Sequence, residues 1–375
     1  MSTWRYIKND DVSASAGLAA DEVLANRAGA GTSLPTLRLY TFKSHCALVG
    51  RFQTIKNELN LEYCTKNSIP VNRRPTGGGA IIMGQDQLGV ALVIPGKSDE
   101  TYALVRERMA QFSQGIISGL ATLGIEVEFR RKNDLEVNGK KIAGLGLHKT
   151  ATSGLLFHAS LLVDLDVPNM LNVLKTPFEK ISDKEISTVS ERTTTVRREI
   201  DTNLNNNEVR TIILNGYRNA FQVDIQKGDF TKSELEEIHQ LEKNKYCDRD
   251  WIFQTTDVLD ATGKAVVKTP GGLLDVRIVL AGKMIKSAYI GGDFFTSEHA
   301  IADLEQSLRW HSSNENSVSE TLSKIYERWS EDLTNLPMDA LIKAINSAIQ
   351  KAAHTARKAS ADPYGCFVTP GGAHA

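Results

Sequence analysis

The dipeptide Asn138-Gly139 constrains the local fold more strongly than any other short segment of this 375-residue chain. It lies between the runs Leu135-Glu136-Val137 and Lys140-Lys141-Ile142. A two-residue hairpin turn of the primed type needs positive φ at both central positions, and Asn-Gly adopts that conformation readily. The sequence therefore predicts an antiparallel hairpin here, with Lys141 just past its tight turn.

Strand and helix patterns alternate along the chain and predict an α+β fold. Apolar residues recur at every second position in the strand segments and at every third or fourth position in the helix segments. The predicted strands cover 37–49 with a break near Ser44, 88–94 as a half-buried strand, 125–129 and 155–163. The predicted helices cover 18–24, 105–120, 168–174 and 209–221.

A change in composition after Lys243 predicts a second domain. Ser233-Glu234-Leu235-Glu236 has the spacing of a capping box and predicts a helix that ends near Lys243. We therefore expect a first domain over residues 1–245 and a small α+β domain over residues 246–332. Residues 333–375 are expected to add one helix and a turn-rich tail.

The charge balance and the cysteines exclude several classes of function. With 44 Lys and Arg against 45 Asp and Glu, the formal charge of −1 provides no overall field that would hold nucleic acid or an anionic membrane. The longest apolar runs are too short to span a bilayer. Four distant cysteines without a CxxC pair fit reduced thiols better than disulfides or a zinc site: Cys46, Cys64, Cys247 and Cys366. We expect a soluble cytoplasmic protein with no nucleic acid and no membrane among its partners.

The first segment that can carry chemistry is Arg73-Arg74-Pro75-Thr76-Gly77-Gly78-Gly79-Ala80, here called the glycine-rich loop. Without Cβ atoms, its N–H groups can approach a phosphate or carboxylate closely, and a neighbouring guanidinium can grip the same anion. Predicted strands lie on both sides of the loop. The pattern favours an anion-binding loop, and a surface turn after two surface arginines is the alternative.

The second segment covers residues 132–144 and includes the predicted hairpin. A lysine on a hairpin strand between small residues can hold its ammonium over a phosphoryl group and a carbonyl oxygen, and it then stabilises charge that develops during acyl transfer. Lys141 has this position. Asn133 and Asp134 can hold a ribose hydroxyl or a magnesium ion. The alternative is a hairpin tip whose lysines serve only solubility.

In chain order, the two segments resemble the lipoate-protein ligase family. Arg-Arg-x-x-Gly-Gly-Gly-Ala is followed about fifty residues later by Asn-Asp-Leu-x-x-x-Gly-Lys-Lys-Ile-x-Gly. Four further segments agree with the family: Ala19-Ala20-Asp21-Glu22, Gly50-Arg51-Phe52-Gln53, the strand from Phe157 to Leu162, and residues 184–192. The resemblance covers residues 4–245. Residues 285–295 are similar to the accessory C-terminal domain of ligases that carry both activities in one chain.

The resemblance implies a mixed central sheet flanked by helices, with lipoate and ATP bound between the sheet and the glycine-rich loop. In this family the lipoate carboxylate attacks the α-phosphorus of ATP, with Mg²⁺, to give lipoyl-adenylate, and a carrier lysine then takes the lipoyl group and releases AMP. By position, Arg74 grips the phosphate, Lys141 is the catalytic residue that touches phosphate and acyl carbonyl, and Asp134 is a candidate ligand of Mg²⁺. The residues implied to bind ATP or lipoyl-adenylate are Arg73, Arg74, Gly77, Gly78, Gly79, Ala80, Ile81, Ile82, Asn133, Asp134, Gly144 and His158.

The implied partners are lipoyl carrier proteins. They include acyltransferase subunits of 2-oxoacid dehydrogenases, the glycine-cleavage H protein and H-like lipoate-binding proteins. The sequence leaves open which carrier is modified and whether octanoate replaces lipoate.

Three segments depart from the family pattern. Met83-Gly84 stand where relatives usually have His-Asp, Phe52 replaces the Asn of Gly-Arg-Asn-Gln, and Phe157-His158-Ala159 replaces His-His-Gly. These changes concern the acyl pocket and the magnesium ligation. The arginine, the glycines and the lysine of the adenylation chemistry keep the family pattern.

Three other functions compete with an ATP-dependent ligase. Related octanoyltransferases share the fold but use a cysteine nucleophile and no ATP. Here Cys46 and Cys64 precede the glycine-rich loop, and no cysteine lies between Arg74 and Lys141, which favours the ligase. Biotin-protein ligases share the Asn-Asp hairpin, but their Gly-Arg-Gly-Arg phosphate loop is absent here. The last alternative binds lipoyl carriers without catalysis, and the presence of Lys141 argues against it.

Overall fold

The computed structural model describes residues 2–97, 102–130, 133–175, 191–254 and 262–361. The chain separates into two units, Met1–Gln254 and Thr255–Ala375. The first unit extends past residue 245 because Trp251 and Ile252 pack against its core. The expectations for residues 184–190 and for the tail from Asp362 fall outside the described residues.

A mixed β-sheet forms the centre of the first unit. The strands of this unit are β1 (Thr3–Val12), β2 (Thr36–Phe42), β3 (Cys46–Val49), β4 (Val71–Arg73), β5 (Ile81–Met83), β6 (Gln87–Pro95), β7 (Glu128–Arg130), β8 (Asp134–Val137), β9 (Lys140–Lys149), β10 (Gly154–Leu162) and β11 (Asp224–Lys227). Eight of them form one sheet in the order β11-β1-β2-β6-β10-β9-β8-β7. β1 runs parallel to β2 and β11, and all other neighbours are antiparallel. The expected mixed sheet is confirmed.

A second, three-stranded sheet has the order β4-β3-β5. β3 pairs parallel with β4 and antiparallel with β5. The glycine-rich loop therefore joins the two outer strands of this small sheet, and β3 lies between the ends of the loop.

Helices flank the main sheet. Those of the first unit are α1 (Ala14–Gly29), α2 (Ile55–Glu58), α3 (Leu61–Lys66), α4 (Val105–Phe112), α5 (Gln114–Ala121), α6 (Val167–Val173), α7 (Val196–Ile200), α8 (Asn206–Phe221), α9 (Lys232–Leu241) and α10 (Arg249–Phe253), with a 3₁₀ turn at Tyr102–Leu104 and a π-helical turn at Glu242–Tyr246. The Ser13 hydroxyl caps α1 by accepting a hydrogen bond from the Ala16 N–H at 3.1 Å. Leu18 and Leu24 of α1 share a core cluster with Val93 of β6. β6 is thus buried on both faces and not only on one.

The Asn-Gly turn has the predicted geometry. Asn138 and Gly139 have φ values of 50° and 77°, and Val137 pairs with Lys140 directly across the turn. Both central residues are therefore in the left-handed region that a primed turn requires. The predicted hairpin is confirmed as β8 and β9.

Two helix predictions differ from the structure. The segment 105–120 is two helices, because the buried Ser113 donates from its hydroxyl to the Ala110 carbonyl at 3.0 Å and ends α4 there. The capping box of α9 is formed by Thr231 and Glu234, each of which bonds the other's backbone N–H. The helix therefore begins at Lys232, ahead of the predicted Ser233.

The second unit is an antiparallel sheet covered by helices. Its elements are β12 (Thr262–Thr269), β13 (Gly272–Ala281), β14 (Met284–Gly292), α11 (Glu298–Leu308), β15 (His311–Ser312), α12 (Glu315–Arg328) and α13 (Met338–Ala361). The strand order is β12-β13-β14-β15. α13 packs closely on β12, since a Cβ on Gly263 would lie 1.8 Å from the Ala348 carbonyl oxygen. The helix expected after residue 333 is therefore part of the core of this unit. Among the described helices, none is long and apolar enough to cross a membrane.

Candidate active site

Lys141 lies at the start of β9, where its ammonium can contact a ligand. Its Nζ atom is 2.6 Å from Oδ1 of Asp134, and the two side chains are 34% and 30% exposed. Asp134 pairs across the hairpin with Gly144. A Cβ on Gly144 would lie 3.1 Å from Lys141 Nζ. The missing side chain at Gly144 therefore leaves the space that the lysine occupies.

The backbone around Lys141 is fixed from two directions. The Thr194 N–H donates to the Lys141 carbonyl at 2.9 Å. Asn133 bonds Leu145 twice, through its side-chain amide at 3.0 Å and its carbonyl at 2.8 Å. Asn133 therefore positions the hairpin in this structure, and its predicted contact with the ribose stays a prediction.

The glycine-rich loop packs against the turn that follows β3. Gly78 has a φ of 90°, a conformation that favours glycine. A Cβ on Gly50 would lie 2.0 Å from the Gly78 carbonyl oxygen, and the Arg51 N–H donates to the Thr76 carbonyl at 2.9 Å. A Cβ on Gly79, in contrast, would meet no described atom within 4 Å. The loop is thus tightly packed at Gly78 and open at Gly79.

Arg74 lies beneath this loop and holds two of its carbonyl groups. Its side chain is buried and donates to the carbonyls of Gly77 and Gly79 at 3.0 and 2.6 Å. In a trans peptide the carbonyl and the next N–H point in opposite directions, so the N–H groups of Gly78 and Ala80 point away from the guanidinium. Burial, with the nearby Arg73 charge, lowers the pKa of Arg74 to about 10. Arg74 orients the loop, and its direct contact with a phosphate stays a prediction.

Arg73 is fully buried and holds the base of the loop. Its guanidinium donates to five carbonyl groups, at distances of 2.6–3.2 Å, which belong to Gly50, Arg51, Gln53, Trp251 and Ile252. These contacts engage the Nε and Nη1 groups of the guanidinium with backbone carbonyls. They connect the loop to the turn after β3 and to α10.

His158 joins the loop to the main sheet. Its Nε2 atom is 2.8 Å from the Thr76 hydroxyl, which also accepts from Arg74 Nε at 3.1 Å. Burial, together with the charges of Arg74 and His148, lowers the pKa of His158 to about 3. The imidazole is therefore neutral at physiological pH, so it can position Thr76 without adding charge.

One face of β9 brings these groups together. A Cβ on Gly146 would lie 2.4 Å from His158 Nε2 and 3.1 Å from the Thr76 hydroxyl. Gly144 and Gly146 are two residues apart on one strand, so they share a face and lie about 7 Å apart. Lys141 lies over the first glycine, and the loop base lies over the second. The two predicted segments thus pack on the same face of β9, which the sequence signals only by the spacing Gly144-Leu145-Gly146.

The remaining predicted residues have mixed surroundings. Ala80 and Ile81 are half-buried, and Ile82 is buried in the core of the small sheet. In the described part of the chain, no three His, Cys, Asp or Glu side chains form a group that could hold a metal ion. The magnesium role of Asp134 stays a prediction, since this carboxylate is paired with Lys141.

Comparisons with known protein families identify the class to which this chain belongs. Residues 13–218 match the family model of the lipoyl protein ligase A/B catalytic domain. Residues 259–345 match the model of the bacterial lipoate protein ligase C-terminus. The chain therefore belongs to the lipoate-protein ligase family, as its motifs predict.

Similar proteins include both ligases and octanoyltransferases. Octanoyltransferase LipM of Halalkalibacterium halodurans is 25% identical over 278 residues, which cover 68% of this chain and 100% of that protein. Lipoate-protein ligase LplJ of Bacillus subtilis is 27% identical over 250 residues, covering 66% and 73%. The chain is thus an enzyme of the family that contains lipoate ligases and octanoyltransferases.

Solved structures agree with this assignment. A bi-partite lipoate protein ligase from an archaeal lipoylation system of Thermoplasma acidophilum, studied with its E2 lipoyl domain, has a TM-score of 0.61 at 25% identity and covers 69% of this chain and 99% of its own. Lipoate-protein ligase A bound with ATP has a TM-score of 0.56 at 25% identity and covers 67% and 97%.

Proposed function

We propose that this protein uses ATP to activate lipoate, or octanoate, and transfers the acyl group to a lysine of a lipoyl carrier protein. The observation that carries the proposal is the glycine-lined face of β9. It places the Lys141 ammonium beside Gly144 and the Thr76 hydroxyl of the glycine-rich loop beside Gly146, and these two glycines are about 7 Å apart along the strand. A phosphate and the carbonyl bound to it can lie between two such groups.

The proposed chemistry follows from the negative charges that would develop beside Lys141 and the glycine-rich loop. The acyl carboxylate attacks the α-phosphorus of ATP, its oxygen forms the new bond to phosphorus, and pyrophosphate leaves with the electrons of the broken bond. Negative charge then increases on the phosphoryl oxygens. Lys141 stabilises this charge because its ammonium is already held in place by Asp134. The Gly78 and Ala80 amides, oriented by Arg74, provide further donors.

In the second step, the amine of the carrier lysine attacks the acyl carbon and AMP leaves. Charge develops on the carbonyl oxygen next to the phosphate, where the same ammonium can stabilise it. Mg²⁺ carried on the nucleotide phosphates would neutralise part of their charge, and Asp134 is the carboxylate here that would hold it. Lys141 acts electrostatically in both steps.

The cysteines support a ligase over a cysteine-dependent transferase. Cys46 is 2% exposed, and burial raises the pKa of its thiol to about 12. Burial also raises the pKa of Cys64. A transferase nucleophile must form a thiolate. Among the cysteines of the described residues, this leaves the exposed Cys247, which lies just after the π-helical turn.

The second unit also supports the ligase. The LipM relative is matched over its whole length by 68% of this chain, a share the size of the first unit. The second unit matches a family model that is described for ligases. A transferase of the length of that relative would need no second unit.

The proposed carrier is inferred from a structural relative of this chain. The archaeal relative was studied with its E2 lipoyl domain. We propose a lipoyl domain of a 2-oxoacid dehydrogenase acyltransferase, or an H protein, as the acceptor for this chain.

The test measures pyrophosphate release and carrier mass together. The protein is incubated with ATP, Mg²⁺, a carrier domain, and either lipoate or octanoate. Pyrophosphate release that requires lipoate or octanoate, together with the mass gain of one acyl group on the carrier, supports the ligase. Transfer from an octanoylated carrier without ATP, lost in Cys247→Ser, would instead establish the transferase.

A further inference from the structure

The indole of Trp251 contacts the base of the glycine-rich loop from a distant part of the chain. Its Nε1–H donates to the Arg73 carbonyl at 3.0 Å, and Arg73 Nε donates back to the Trp251 carbonyl at 3.1 Å. Trp251 lies in α10, between the two family-model matches, which end at residue 218 and begin at residue 259. Trp251 therefore lies outside both matched domains, whereas its partner Arg73 lies inside the first.

The pair fixes the peptide unit that precedes Arg74. The carbonyl of this unit belongs to Arg73 and accepts from Trp251, while its N–H belongs to Arg74 and donates to the Val49 carbonyl at 3.0 Å. A planar peptide held at both polar groups cannot rotate. The Arg74 side chain therefore leaves the backbone in a set direction, toward the carbonyls of the loop.

Two cations lie near the Trp251 ring. Lys245 Nζ is 4.1 Å and Arg51 Cζ is 4.8 Å from the ring centroid, distances at which an aromatic ring attracts a cation. Lys245 is also paired with Glu22 at 2.9 Å. The Arg51 N–H donates to the Thr76 carbonyl, so this cation belongs to the residue that borders the loop.

We propose that Trp251 is a positioning residue for nucleotide binding. It acts through the Arg73–Arg74 peptide, which aims Arg74 at the loop carbonyls and so presents the loop N–H groups to the nucleotide phosphates. The inference rests on the proposed ATP-dependent function. It adds to that function a residue in the segment that leads to the second unit.

The test is a kinetic comparison of Trp251→Phe with wild type. Phenylalanine keeps an aromatic ring beside Lys245 and Arg51 but removes the indole N–H. We expect the KM for ATP to rise about fivefold, the effect of one lost neutral hydrogen bond, with kcat at saturating ATP nearly unchanged. Trp251→Ala should raise this KM further. Trp310→Phe, an exposed tryptophan of the second unit, is the matched control and should behave as wild type.

Each outcome decides whether Trp251 positions the loop for ATP binding or only stabilises the fold. A merely structural role would lower the fraction of folded enzyme, so kcat would fall while the KM for ATP stayed constant, and this result overturns the inference. An unchanged KM and kcat in Trp251→Phe overturns it as well. Calorimetry with ATP tests the proposed function itself. A wild-type protein that binds no ATP overturns both the ATP-dependent function and the role of Trp251. If Trp251→Ala fails to fold, the phenylalanine variant still gives the answer.

Discussion

Replacement of Lys141 by alanine separates a catalytic role from a structural one. The substitution removes the ammonium that lies over Gly144 and leaves the β8–β9 turn intact. Lys140 is its matched control, because it is the preceding residue of the same hairpin and is exposed. We expect a large loss of rate in Lys141→Ala and none in Lys140→Ala.

The structure sets the magnitudes of the two effects. The Lys141–Asp134 pair is close, at 2.6 Å, but both side chains are about one-third exposed, so water screens it. Such a pair contributes about 0–1 kcal/mol to the free energy of unfolding. Loss of a preorganised charge at a transition state costs about 3 kcal/mol, or about a hundredfold in rate. The effect on the rate should therefore exceed the effect on stability.

Two measurements test this difference. Pyrophosphate release that requires lipoate or octanoate gives the rate of adenylate formation. A thermal melt monitored by circular dichroism gives the stability. We expect the melting temperature of Lys141→Ala to change by no more than about 4 °C. A variant that releases pyrophosphate within a few-fold of wild type would remove Lys141 from the catalytic groups. A rate loss matched by a large drop in melting temperature would show a structural role.

Three further perturbations have expected outcomes. Gly79→Ala should leave the melting temperature unchanged and weaken ATP binding. Gly50→Ala should lower the melting temperature, because its methyl group would lie 2.0 Å from a loop carbonyl oxygen. Thermal melts and calorimetry with ATP distinguish the two variants. The folded protein lowers the pKa of His158 from 6.5 to about 3, so the unfolded chain binds the proton more readily. Stability should therefore fall as the pH drops from 6.5 toward 3, and His158→Gln should flatten this dependence in pH-dependent melts. A chain that ends at Gln254 should stay folded, while one that ends at Lys243 loses the indole that holds the loop base and should melt at a lower temperature.

The parts of the fold that were predictable from the sequence depend on local chemistry. Asn138-Gly139 specifies its turn because both residues accept positive φ, whatever the rest of the chain does. The break at Ser113 was not predictable, since apolar residues keep a helical spacing on both sides of it. Two side-chain bonds to the Ala110 carbonyl, from Ser113 and Gln114, mark the end of the helix there.

The candidate site shows the same limit. Its two segments were identified because glycines and lysine have recognisable spacing. The different hydrogen-bond partners of Arg73 and Arg74 could not be predicted from the sequence, because they depend on residues far along the chain. Arg73 meets the carbonyls of Trp251 and Ile252, whereas Arg74 reaches those of the loop. Sequence predicted one shared anion-binding role, and the structure gives the two guanidinium groups separate partners.

The Arg73–Trp251 pair also sets an order of events during synthesis. Its two residues are 178 positions apart in the chain. At about 5–20 residues per second, a ribosome adds Trp251 roughly 10–40 s after Arg73. By the end of that interval the nascent chain contains the glycine-rich loop and the hairpin, but two of the five carbonyl partners of Arg73 do not exist until Trp251 and Ile252 are added. The glycine-rich loop can therefore reach its final form only after almost the whole first unit has been made.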